Sequence, residues 1–505
     1  MAPSWRWLIL AVVAAVVHGE PVQKQNLTLP DGADTQRDAV VDIFVDSYEP
    51  YMKYAWGHDD LLPVSESYTD GRNGWGASIV DAMSTMWIMG RHDWFNQAVN
   101  YTATVDFSKS KTDDTVSIFE TTIRYVGGLL SAYELSGYQY DVLVNKAEQL
   151  AQQMAYAWVG NNAIPFEYIN FTAHEPTIAT STISGIGSLT LEWNRLSLYT
   201  NNDTYRQLAE KSVQHIINMS PPLPGMPAKN IDPATGDAVG GYTWGSGSDS
   251  YLEYLIKYPR LTNTDDNSYA DAWLTAVDTS IKKLLRTSTV GDWVYLADYD
   301  DDKLIRHVGS HLACFSGGNW ILGGKLTNND TLVDIGLQLT DACWNTYAST
   351  ATGIGPEEFA YVSSDGNYTG ASGPDEEQLQ FYNKHGFYIT TPYYILRPEV
   401  LESNFYAWRV TGDTKYLDNA ASAIKSFQQY LSTTVAYTGI DDVDNTQSGK
   451  IDDMESFWFA EVLKYLYLTF DDPGNISLDD YVFNTEAHPF KASAAKSIYG
   501  STSGS

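Results

Sequence analysis

Cysteine is scarce in this chain. There are two, Cys314 and Cys343, in 505 residues. Their spacing does not resemble a zinc set. An even count allows one disulfide, and two buried free thiols are the alternative. Positive charge is scarce too. Only 31 Lys and Arg stand against 63 Asp and Glu, for a formal net charge of -32. Such a surface repels nucleic acid and anionic membrane, so neither is expected as a partner. After the N-terminus no apolar run approaches the ~20 residues needed to cross a bilayer. A G-x-S-x-G elbow, a P-loop and an H-E-x-x-H pair are all missing, which removes the commonest serine-hydrolase, nucleotide and zinc-protease templates.

The N-terminus reads as a secretory signal over residues 1–19. Arg6 supplies the positive start, Trp7 to Val17 is apolar, and Val17 and Gly19 are small enough for cleavage nearby. Eight Asn-x-Ser/Thr sequons suit the same route: Asn26, Asn100, Asn170, Asn202, Asn218, Asn329, Asn367 and Asn475. The expected location is the medium or the lumen of secretory vesicles, with no membrane anchor.

What the chain does have is helices in pairs. Leu189 to Thr200 is followed by DTYRQLAEKSVQHIINM, and Ser403 to Gly412 by DTKYLDNAASAIKSFQQYL. The first helix of each pair is apolar nearly all round and should be buried. The second has a polar stripe and should lie outside. Six pairs are visible, and two helices are left over, Asp38 to Ala55 and Asp453 to Phe470. If these two pair, the chain closes into about seven helical hairpins. The expected fold is all-α, an (α/α)7 barrel in one domain, plugged by a C-terminal β-hairpin or loop. The boundaries are an extension over 20–37, a barrel over 38–490 and a flexible tail over 491–505. The inserts Asn161–Ile183, Pro221–Gly247 and Thr350–Thr391 should be rim loops.

The inner helices begin with acids or a histidine: Asp81, Glu120, Asp249, His311, Glu399 with Glu402, and Glu455 with Glu461. Acids favour helix N-termini as caps and through the helix dipole. Capping does not explain the aromatic company of Phe119, Tyr251, Phe405, Phe457 and Trp458. Inner helices running one way would bring these acids to one mouth. Several carboxylates among aromatic rings suggest a sugar site, and a glycosidase needs two of them. Thr485 beside Glu486, in VFNTEAHPFK, adds a hard-oxygen pair of the kind calcium selects.

Taken in order, GRNGWGASIVDAM, FETTIRYVGGLL, SDSYLEYLIK, HLACF, RPEVLESNFYAWRVTGD, ESFWFAEVLKYLYL and FNTEAHP resemble the class I α-1,2-mannosidases. These are inverting, calcium-dependent glycosidases (glycoside hydrolase family 47) that trim high-mannose N-glycans. The resemblance runs from about Asp38 to Pro489 and is nearest to the secreted fungal-type enzymes. It implies an (α/α)7 barrel, a disulfide between Cys314 and Cys343, and Thr485 as the Ca2+ ligand. It implies Glu120 as general acid, Asp249 as a second essential acid working through water, and Glu399 as general base; the residues themselves leave open whether Glu120 or Asp249 gives the proton. Arg124, His311, Arg397, Glu402, Phe457, Glu461 and Glu486 become substrate-site residues. Gly247 stands where members that remove a single mannose carry Arg, which implies trimming from nine mannoses towards five. The expected partner is a high-mannose N-glycan or glycoprotein, and the expected state a monomer. The rivals are a glycan-binding, lectin-like relative of the same fold and another inverting (α/α)-barrel glycosidase.

Overall fold

A computed structural model of the protein describes residues 20–112 and 115–501. The proposed signal segment, 1–19, lies outside the described residues.

Seven inner helices form a ring: Ala77–Ile88, 118–135, Thr190–Thr200, Asp249–Thr262, Phe315–Leu326, Glu399–Thr411 and 458–470. Each packs on the next, and the last packs on the first. Outside them run Ala33–Tyr54, His92–Thr104, Asp141–Met154, Thr204–Ile217, Ser268–Lys283, Asp330–Ala348 and Lys415–Tyr430. The first of these outer helices packs on the last inner one, so the two unpaired helices do close the ring. This is the expected (α/α)7 architecture.

The division into inner and outer helices follows from composition. In Phe315–Leu326 every residue but Lys325 is buried, which suits a helix covered on all sides. In Lys415–Tyr430 the buried residues are Tyr416, Leu417, Ala420, Ala423, Ile424 and Phe427, one stripe at helical spacing. The Cys314–Cys343 disulfide joins the start of one inner helix to its outer partner. Short antiparallel strands fold the three long inserts against the mouth, including Tyr168–Asn170, Asn230–Ile231 and Glu358–Ala360.

A β-hairpin of Tyr481–Phe483 and Pro489–Lys491 enters the ring, in the register Tyr481 to Lys491, Val482 to Phe490 and Phe483 to Pro489. Phe483 packs edge-on against Phe405 and beside Tyr465, both on inner helices. The barrel is therefore plugged as expected.

Three boundaries differ from the sequence reading. The first helix starts at Ala33 rather than Asp38, directly after Gly32 in the left-handed region. The last inner helix does not start at Asp453. Met454 N–H bonds to Leu61 C=O instead, which keeps this stretch extended to reach the strand Asp60–Leu62. The stretch 492–501, expected as part of a flexible tail, is docked. Arg260 donates to Ser493 C=O, Asn263 to Ala494 C=O, and Tyr499 is buried with its hydroxyl on Asn263.

Candidate active site

The N-terminal ends of the inner helices open on a pocket of about 300 Å3. Its wall includes Glu120, Arg124, Gly247, Asp249, Arg397, Glu399, Phe457, Glu461, Thr485 and Glu486, all anticipated from sequence. Two anticipated residues stand behind the wall. His311 Nδ1 lies 2.7 Å from Glu399 Oε2 and its Nε2 lies 2.7 Å from the Tyr347 hydroxyl. Glu402 is buried 3.8 Å from Lys257 Nζ. Glu167, Ser184 and Ser250 also line the pocket and were not singled out. They come from a loop, a short helix and a position next to a carboxylate, so no periodic signal marks them.

Two stretches of wall are π-helical, Thr121–Val126 and Trp458–Val462. Such wide turns favour functional sites, because the extra residue re-aims side chains. Arg124 and Glu461 lie within them. Arg124 is buried and meets three acids: Nε donates to Glu120 Oε2 at 2.8 Å, Nη1 pairs with Glu486, and Asp81 Oδ2 is 3.6 Å away. Its guanidinium also faces the Phe457 ring at 5.5 Å.

The three central acids differ in charge state. Burial pushes the Glu120 carboxyl up, but Arg124 and Arg72 outweigh it and hold it below the ordinary value. Arg72 was not anticipated; it reaches Glu120 at 3.5 Å from the loop before the first inner helix. Among the described residues no cation pairs with Asp249. Burial pushes it up to about 6, although Ser184 Oγ donates to it at 2.8 Å and Ser250 N–H at 2.9 Å. Burial also pushes Glu399 up, but His311 and Arg397 bring it below the usual carboxylate range. Arg397 is held by Glu357 through two hydrogen bonds of 2.6 and 2.7 Å.

The hairpin turn carries Thr485 and Glu486 into the ring. Asn484 fixes it. Its Nδ2 donates to Ile123 C=O at 2.9 Å and to Glu192 at 2.7 Å, while its Oδ1 accepts from Glu486 N–H and His488 N–H. Buried His488 adds contacts to Ser84 Oγ at 3.0 Å and Asp81 at 3.3 Å. Buried Lys464 donates to Ala487 C=O at 2.6 Å. Thr485 Oγ1 is 3.0 Å from Ser250 Oγ. Around it burial raises Glu461 and Glu486 well above their ordinary values, helped by Glu486, Glu399 and Glu402 at Glu461 and by Asp81 and Glu120 at Glu486. Glu402 is raised to about 8, chiefly by burial and then by Glu253 and Glu399 against the pull of Lys257.

Gly247 has φ 93, in the left-handed region, and its C=O accepts from Ser184 N–H. The backbone there favours glycine irrespective of any substrate.

The family model for glycosyl hydrolase family 47 matches residues 43–492. The chain belongs to this family. It is 39% identical to a probable mannosyl-oligosaccharide alpha-1,2-mannosidase 1B of Aspergillus clavatus, over 93% of this chain and 96% of that protein. It is also 39% identical to mannosyl-oligosaccharide alpha-1,2-mannosidase 1B of Emericella nidulans, over 91% and 93%. Among solved structures, the alpha-1,2-mannosidase from Trichoderma reesei superposes with a TM-score of 0.87 at 38% identity, covering 91% of this chain and 99% of that one. This family 47 glycoside hydrolase thus matches those proteins over nearly their whole length.

The hairpin contacts give a direct test of the plug. Asn484→Ala removes four hydrogen bonds and leaves Ile123 C=O and Glu192 buried without that partner. The expected loss is roughly 2–4 kcal/mol, read as a lower denaturant midpoint at unchanged slope.

Proposed function

We propose that the protein is an inverting exo-α-1,2-mannosidase that removes terminal α-1,2-linked mannose from high-mannose N-glycans. The observation that carries this reading is the meeting of Asp249, Glu399 and Glu120 in one walled pocket with Phe457. The names of the relatives point to the same activity.

Glu399 serves as general base. It is ionised and oriented by His311, so it can take a proton from the attacking water. The leaving oxygen is protonated from the Glu120–Asp249 side. The charge environment favours Asp249 as the proton's carrier, since Arg124 and Arg72 hold Glu120 ionised. This shifts the weight of the resemblance-based expectation, in which Glu120 gives the proton. Phe457 offers an apolar face to the sugar ring.

The residues around Thr485 fit Ca2+. The threonine offers hydroxyl and carbonyl oxygens, and Glu461 and Glu486 line the same pocket as acids raised chiefly by burial, with Glu402 behind the wall raised likewise. Among the described residues no three His, Cys, Asp or Glu converge as direct ligands, so the acids would act through water. When bound, the ion would coordinate hydroxyls of the terminal mannose and fix the ring.

Location in the medium or a secretory lumen follows from the N-terminal segment and the sequons, of which Asn26, Asn100, Asn218, Asn329, Asn367 and Asn475 are exposed and Asn170 and Asn202 partly so. No helix among the described residues is long and apolar enough to cross a membrane. We take the enzyme to act as a monomer.

Hydrolysis of an α-1,2-linked dimannoside followed by NMR should show β-mannose first. Release should stop with a chelator and return with calcium. Initial α-mannose would overturn inversion, and no release at all would favour the lectin-like reading.

On a nine-mannose glycan, trimming should run on to five mannoses. An arrest after one mannose would contradict the subtype.

The pH dependence has a definite sign. Asp249 must hold its proton, so kcat/KM should fall as pH rises through about 6. Glu399 must be ionised, so the acid-side fall should lie below the ordinary Glu value. Asp249→Asn should abolish the alkaline limb in the residual rate, whereas Glu120→Gln should keep it. The reverse pattern would return the proton to Glu120.

A further inference from the structure

Tyr347 belongs to the outer ring and lines no part of the catalytic pocket. It stands near the end of the helix Asp330–Ala348 and is wholly buried. Its hydroxyl nevertheless reaches the inner ring and lies 2.7 Å from His311 Nε2. The same imidazole presents Nδ1 to Glu399 Oε2 at 2.7 Å. One histidine thus connects an outer-ring tyrosine to the general base.

The direction of this chain follows from the chemistry of its members. An ionised carboxylate only accepts hydrogen bonds, so Nδ1 carries a proton. The other neutral tautomer would turn the Nδ1 lone pair onto a carboxylate oxygen. In the productive tautomer Nε2 is an acceptor, and the Tyr347 hydroxyl is the donor it needs. Burial, and after it Tyr394, Glu399 and Glu357, raise that hydroxyl well above its ordinary value, so it keeps the proton it donates.

Both rings are held in place. Tyr347 stacks on Trp344 with centroids 5.4 Å apart, and a Cβ on Gly355 would lie only 2.5 Å from the tyrosine ring. Tyr394 packs against His311 at 5.8 Å and donates to Arg397 C=O at 3.0 Å. The Cys314–Cys343 disulfide ties the same two segments. Cys343 lies one helical turn before Tyr347, and Cys314 N–H donates to His311 C=O.

We propose that Tyr347 is a positioning residue for the general base: it fixes the tautomer and orientation of His311, and through His311 the aim of Glu399 at the attacking water. The proposal rests on the reading of Glu399 as general base. It gives the outer ring a part in catalysis that acts only through another side chain.

The test is Tyr347→Phe, which keeps the ring and removes the hydroxyl, alone and combined with His311→Asn. The Asn nitrogen can stand in for Nδ1 but reaches no further outwards, so it uncouples Glu399 from Tyr347. On α-1,2-mannobiose, Tyr347→Phe should lower kcat about ten-fold, the scale of leaving one buried acceptor unpaired, with KM within about two-fold. The acid-side limb of kcat/KM should move up towards the ordinary Glu value. The other charged groups that act on Glu399 or feel it, Arg397, Asp249, Glu402 and Glu461, are the same in both proteins. In the His311→Asn background the same change should cost nothing further. An equal loss in both backgrounds, an unchanged kcat, or a loss with an unmoved acid limb would leave the tyrosine a packing role and overturn the proposal.

A second readout needs no turnover. Nitrogen NMR of protein with labelled histidine, the His311 signals being those lost in His311→Asn, should show Nδ1 protonated and Nε2 as an acceptor. Tyr347→Phe should shift the Nε2 signal. A proton on Nε2 in the wild type would overturn the proposal whatever the activity. If the wild type kept the expected pattern but released no mannose, the mannosidase reading would fall while the hold of Tyr347 on His311 stood.

Discussion

Arg124 is the point on which the centre of this molecule depends. One buried guanidinium meets Glu120 on its own helix and acids from two distant parts of the chain, Asp81 on the first inner helix and Glu486 on the C-terminal hairpin. Buried charges are tolerated only when paired and hydrogen-bonded. The ring can therefore bring its carboxylates together only if the hairpin has entered and the helices have closed.

That single cation does not suffice for all the acids, and the shortfall differentiates them. Glu120 shares Arg124 with Arg72 and stays ionised. Glu399 has His311 and Arg397. Asp249 has only neutral donors among the described residues and rises towards neutrality. Acids of the same chemical type, placed at equivalent ends of inner helices, thus acquire different protonation states from their neighbours.

Much of this was legible in the sequence because it is periodic. Helices apolar all round beside helices with one stripe announce two rings, and acids recurring at the first turn of each inner helix announce one mouth. Residues that act from outside the period were hidden. Arg72 comes from a glycine-rich loop, and Ser184 from a short helix after a strand, yet they help decide which acid is charged. The backbone conformation at Gly247 was equally hidden, since a glycine in sequence does not say whether space or a left-handed φ requires it. The last inner helix was placed too early because Met454 looks apolar enough to be helical, while its N–H is taken by Leu61. The docking of 492–501 was missed because KASAAKSIYG is a weakly apolar stretch, and what holds it is the buried Arg260 and the ring of Tyr499.

The far end of the ring is sealed by backbone carbonyls gathered on arginines. Arg409 donates to the carbonyls of Pro473, Ile476 and Leu468 and to the Gln23 side chain, and Arg260 donates to those of Asp479 and Ser493. Both described ends of the chain are tied there, with Val22 N–H on Asp479 and Tyr499 N–H on Leu326 C=O. A bead, carrier or fusion partner joined at either end would sit behind the barrel, leaving the opening turned outwards to approach a bulky glycoprotein.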